Sequence, residues 1–152
     1  MLVGGHGYSN PNANWLDNRG LWLSYGIGFL VLHLTLLSIP VLTTSTAWTL
    51  TNLLHNLFHF VFLHILKGSI WDTQDQGRSR ELTQWEQIDS GMQFTSTRKF
   101  LTSAPVIMFL LTTFYTKYDN VHFIINFVSL MFVLLPKLPQ FHEVRLFGIN
   151  RY

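Results

Sequence analysis

Cysteine is absent from the 152 residues, which excludes disulfides, thiolate metal sites and cysteine nucleophiles. Charge is scarce: 12% of residues are Asp, Glu, Lys or Arg, about half the share in an ordinary soluble domain. The net charge of +2 is too small to suggest a nucleic-acid partner. No N-x-S/T sequon, Gly-rich phosphate loop or nucleophile elbow occurs. Apolar residues fill the space that charge leaves, at 48% of the chain.

Residues 20–66 contain no Asp, Glu, Lys or Arg. As helix this run would extend about 70 Å, roughly two bilayer cores. Pro40 followed by "TTST" breaks it near the middle, which predicts one span at 21–42 and a second at 46–66. Two further uncharged runs, 100–116 and 120–136, are at the short end for spanning. The expected fold is an all-α membrane protein with four transmembrane helices in a small bundle.

The Lys and Arg residues set the expected orientation. Arg19, Lys67, Arg78, Arg80, Arg98, Lys99, Lys137, Arg145 and Arg151 fall on one side of such a bundle, and only Lys117 on the other. Both termini, the loop 67–99 and the tail 137–152 are therefore expected in the cytosol, with short turns near Thr44 and Asp119 on the far side. No charged leader and cleavage site precede the first span, which reads as an uncleaved anchor. Residues 1–20 form a separate cytosolic segment. Its start, "MLVGGHGYS", is Gly-rich with little to bury and is expected to be mobile alone.

The loop 67–99 is more than a linker. Leu82, Trp85, Ile88 and Met92 recur at the spacing of one helix face, and Gly91 is placed to help end such a helix. This predicts a cytoplasmic helix lying at the membrane interface, on a partner, or on its own bundle. Glu86 and Asp89, three apart on it, suit a solvated face better than acid–base machinery.

Seven histidines remain as candidate chemistry, three of them in "HNLFHFVFLH" at 55–64. His55 and His59 are four apart, stack on one helix face and are spaced to share a metal. A metal-dependent lipid-modifying enzyme built on them is one reading. Such a site needs more ligands, however, and neither of the first two spans contains a carboxylate. Ser45, Thr49, Asn52, Asn56 and His59 instead make a polar stripe within about 80° of helix circumference, with His55 on its flank. Buried in lipid, that stripe should face other helices, with Ser24, Thr35, Ser38, Asn126 and Ser129 as candidate partners.

The strings "NPNANWLDNRGLWLSY", "WTLTNLLHN", "FLHILKG", "LTQWEQIDSGMQFTSTRKFLT", "FYTKYD" and "PKLPQFHEVRLFGINRY" resemble those of the ORMDL (Orm-like) family, in the same order from about Asn10 to Tyr152. The resemblance implies a four-span endoplasmic reticulum membrane protein, both ends cytosolic, with no enzymatic activity and no cofactor. It implies serine palmitoyltransferase subunits as partners, inhibited in response to ceramide, and so a regulator of sphingolipid synthesis. The family's ceramide reader, an Asn of the "NPN" motif, corresponds to Asn12; the pocket around it corresponds to Leu21, Phe62 and Gln84. Gln84 replaces the His of the vertebrate "THWEQ" string. Met1 marks the segment that the family directs toward the enzyme's substrate channel. A membrane assembly factor with many clients is a third reading.

Overall fold

The computed structural model describes residues 19–68, 80–91, 93–145 and 147. Among these residues the only elements longer than five residues are helices. Four are long: α1 (Arg19–Leu37), α2 (Thr44–Phe60), α4 (Ser96–Tyr115) and α5 (Asn120–Leu134); α3 (Gln84–Gln87) is a single short turn in the middle segment. By length and composition, Arg19–Leu37 and Asn120–Lys137 are suited to cross a membrane.

Local chemistry sets the helix ends. The break expected at Pro40 falls in the turn 38–43, so α1 stops at Leu37, five residues before the expected end. Thr43 then caps α2, its hydroxyl accepting from the Thr46 amide at 3.2 Å. The α4–α5 turn is tight, with Lys117 and Tyr118 at positive φ, and Asp119 caps α5 by accepting from the His122 amide at 3.2 Å. Helix α2 ends in a π turn, Val61–Ile65, and α5 in a 3₁₀ turn, Leu135–Lys137. Pro105 sits inside α4 and removes the amide that would bond the Leu101 carbonyl.

Helix α2 is built inside out. Its buried residues are Ala47, Thr49, Thr51, Asn52, His55, Asn56 and His59, while Leu57 and Phe58 are exposed. Helices α1 and α5 expose Leu23, Ile27, Leu30, Val31, Val121, Ile124, Val128 and Phe132. Apolar faces of that extent are not what a soluble monomer leaves in water.

The polar stripe of α2 is a seam to α5. Thr49 meets His122 Nδ1 at 2.7 Å, Asn52 Nδ2 donates to Asn126 Oδ1 at 3.0 Å, and Asn56 Nδ2 donates to Ser129 Oγ at 2.7 Å. His64 Nε2 and Lys137 Nζ, 3.0 Å apart, close the series beyond the helix ends. Partners stay 73 or 74 positions apart throughout, so α2 and α5 run parallel. Helix α1 is joined to α2 by His33 Nδ1 and Thr51 Oγ1, 3.0 Å apart. Asn126 and Ser129 take the places expected of them. Ser24, Thr35 and Ser38 instead donate to carbonyls of their own helix, at 2.6–2.8 Å.

The middle segment is fastened onto the bundle. Thr83 and Glu86 form a capping box at α3, and a 3₁₀ turn, Ile88–Gly91, follows, with Gly91 at φ +85°. Trp85 and Ile88 are buried with Leu63 and Leu101. The helix expected from Leu82, Trp85, Ile88 and Met92 is thus a short buried turn packed on its own bundle; Met92 lies outside the described residues. The C-cap of α3, Ile88, leaves the helical region at ψ 128°, and Arg98 Nη2 donates to the Trp85 and Ile88 carbonyls at 2.8 and 3.3 Å, tying the turn to α4. Glu86 pairs with Arg145, at 2.7 Å between Oε1 and Nη2; the Asp89 side chain lies outside the described residues.

Candidate functional site

A groove of about 480 Å³ opens between α1, α2 and α4. Its walls are almost wholly apolar and aromatic, and its size falls within the range of small-ligand pockets. Helix α1 supplies Leu21, Trp22, Tyr25 and Phe29, one face at spacings of three and four. Helix α4 supplies Phe100 and Leu101. Trp22 and Phe100 stack with centroids 4.6 Å apart, and Tyr25 meets Phe100 edge-on at 5.9 Å, joining the two walls.

The third wall comes from the end of α2. His55, Phe58 and His59 line the groove, followed by Phe62 and Leu63 on the π turn. A π turn advances by more residues per turn than an α-helix, so side chains beyond it leave the α-helical register. Here it accompanies a division of roles: Phe62 faces the groove, while His64 bonds Lys137 on the α5 side.

Polar atoms enter the groove at one place. The Tyr25 hydroxyl is hydrogen-bonded to His55 Nε2 and lies 3.3 Å from His59 Nδ1. His55 Nδ1 is 3.0 Å from Asn56 Oδ1, a pure acceptor, which assigns the ring proton to Nδ1 and leaves Nε2 to accept from Tyr25. His59 Nε2 is buried on the side of the Leu101 carbonyl that Pro105 leaves without its helical amide. The groove therefore offers long apolar walls with one polar cluster, Tyr25, His55 and His59, set into them.

Of the residues singled out by sequence, the structure brings Leu21 and Phe62 together in this groove. Gln84 is elsewhere: it is fully buried, and its Nε2 donates to the Gly68 carbonyl, which also accepts from Gln87 Nε2 at 3.0 Å. Met1 and Asn12 lie outside the described residues. His55 and His59 share Tyr25 as a partner, and among the described residues no three histidine or carboxylate side chains converge as a metal would require. Tyr25, Phe29, Phe100 and Leu101 are groove residues that sequence reasoning missed. Tyr25 carried a signal, since a phenol in an uncharged run needs a partner.

Outside the helical bundle, charge is used for fastening. Arg145 grips Glu86 with both guanidinium nitrogens, at 3.0 and 2.7 Å, and donates to the Glu81 carbonyl at 3.0 Å. Burial pushes the Glu86 carboxyl up, but bonds from Arg145 and Thr83 outweigh it and leave it below the usual range. The same pairing raises Arg145. This clasp ties the middle segment to the tail.

The described residues form a helical bundle with two helices long and apolar enough to cross a membrane, a polar interior seam and an apolar side groove. The chain belongs to the ORMDL family, whose model matches residues 10–145. It is similar to ORM1-like protein 3 of Rattus norvegicus, 57% identical over 153 residues covering all of both chains. It is 56% identical to the ORM1-like protein of Drosophila melanogaster over 151 residues, 99% of this chain and 98% of that one. Against ORM1-like protein 1 of Homo sapiens the figure is 55%, covering both chains in full.

Proposed function

We propose that this chain is a non-catalytic regulatory subunit that inhibits serine palmitoyltransferase when ceramide is plentiful. It would act in the endoplasmic reticulum membrane as a four-span bundle, α1, α2, α4 and α5, with both termini cytosolic. The observation that carries the reading is the groove. Ceramide joins an amide and hydroxyls to two long chains, and a groove with apolar walls and one polar cluster, Tyr25, His55 and His59, matches that mixture. Leu21 and Phe62 contact the chains, and Asn12, a donor and acceptor at once, reads the polar head.

Inhibition follows from differential affinity. A ligand held both by Asn12 and by the walls of the groove favours the arrangement in which the segment from Met1 onward is fixed against the enzyme's substrate channel. Gln84 contributes by holding the middle segment in place.

The test is enzyme activity in reconstituted complexes with added ceramide. Asn12→Ala and Phe62→Ala should assemble with the enzyme normally yet lose most of the ceramide-dependent inhibition. Wild-type inhibition in both variants would overturn the assignment.

A further inference from the structure

A second groove, of about 510 Å³, opens between the start of α4, the end of α5 and the middle segment; it shares no lining residue with the first. Its chemistry changes along the helix axes. At the helix ends it is lined by Arg98, Lys99 and Lys137, and further along by Val106, Ile107 and Leu134. Lys99 and Ile107 are eight residues apart, about 12 Å of helix. Among the described lining residues there is no carboxylate.

Lys137 is the unusual member. It is only 6% exposed, and its ammonium is engaged by neutral groups: His64 Nε2 at 3.0 Å, the Val133 carbonyl at 3.1 Å and the Trp85 ring at 5.1 Å. Burial among neutral groups disfavours the charge on Lys137, and an anion beside it would favour the charged form. Lys99 adds an exposed charge on the same groove, and the Arg98 guanidinium lies 4.7 Å over the same Trp85 ring.

We propose that this groove holds one anionic glycerophospholipid, with its phosphate between Lys99 and Lys137 and an acyl chain along Val106, Ile107 and Leu134. Free phosphate would meet Lys99 and Lys137 but leave the apolar wall bare; a neutral lipid would cover the wall but bring no net negative charge to the two lysines. Basic pockets between membrane helices at the cytosolic surface bind acidic headgroups in this way. The inference shares with the proposed function only the membrane setting, because ceramide carries no phosphate and the two grooves are separate.

The full-length chain in phosphatidylcholine nanodiscs, titrated with phosphatidylserine and read by native mass spectrometry, tests this. One phosphatidylserine should be retained per chain while phosphatidylcholine is lost. Lys99→Gln should weaken retention about fivefold and Lys137→Met more than about tenfold. Ser103→Trp, on the exposed rim, fills the groove without removing a cation and should abolish retention with helicity unchanged; it and Lys99→Gln carry the test if Lys137→Met does not fold. Equal retention of phosphatidylcholine, or wild-type binding in Lys99→Gln and Ser103→Trp, would overturn the site. Displacement by millimolar glycerophosphate would refute the lipid in favour of a bare headgroup site. Because ceramide-dependent inhibition is measured separately, loss of this lipid site leaves the proposed function standing, and the converse holds.

Discussion

Arg145→Ala should loosen the attachment of the tail to the middle segment by a measurable amount. Glu86 accepts from the Thr83 amide at 2.9 Å, the Thr83 hydroxyl at 3.1 Å, the Glu143 amide and two guanidinium nitrogens. The substitution removes both charge-assisted bonds and leaves three donors on a carboxylate whose side chain is 5% exposed. Breaking a fully buried pair costs about 3–5 kcal/mol, but the Arg145 side chain is 17% exposed and water can replace part of it, so about 2–3 kcal/mol is expected. For a chain of this size that is roughly 5–10 °C in Tm, read by thermal unfolding in detergent. The pH dependence follows from the depressed carboxyl. Its contribution is full above the unfolded value of 4.5 and is lost as pH falls through the lower folded value. The wild-type advantage over Arg145→Ala should therefore be constant from about pH 7 to 5 and shrink below about pH 4. A Tm change under about 1 °C, or a difference that does not narrow with acid, refutes the clasp.

The α2–α5 seam can be weighed by a double-mutant cycle on Asn52→Leu and Asn126→Leu. Bonds of this kind between membrane helices couple by about 0.6–1.7 kcal/mol, and a coupling below about 0.3 kcal/mol would mean that the pair is incidental. The natural absence of cysteine makes the chain suited to site-directed maleimide labelling. In intact microsomes a cysteine at Gln140 should label, whereas cysteines at Ser38 and Tyr118 should label only after detergent. Labelling of all three without detergent rules out the four-span topology.

The seam was legible because its signal is local: polar residues at helical spacing within an uncharged run mark a face whatever covers it. Asn126 and Ser129 were recognisable as partners for the same reason. Ser24, Thr35 and Ser38 were not excluded by sequence, yet short hydroxyl side chains reach their own helix's carbonyls before they reach a neighbour. The partners of His33 and His122, Thr51 and Thr49, lie 18 and 73 positions away, beyond the reach of any local pattern. The middle helix is shorter than its period suggests because apolar spacing does not register the break in backbone conformation at Ile88. Leu21 and Phe62 entered through the family resemblance; what sequence could not foresee is the π turn carrying Phe62 and the Tyr25 contact joining two walls.

The distribution of burial bears on how a lipid could act through this groove. Helix α2 buries seven residues, whereas α1 buries only His33, so the first helix is the wall held by the fewest interior contacts. Most of what α1 does offer inward is the face of Leu21, Trp22, Tyr25 and Phe29, and that face lines the groove. On the proposed reading, a chain filling the groove would add packing contacts where α1 has fewest. The wall most stabilised by ligand would then be the one that leads directly back through Arg19 to Asn12. Coupling of ligand to the N-terminal segment needs no long pathway on this account, only a weakly held helix beside α2, which the polar seam joins to α5.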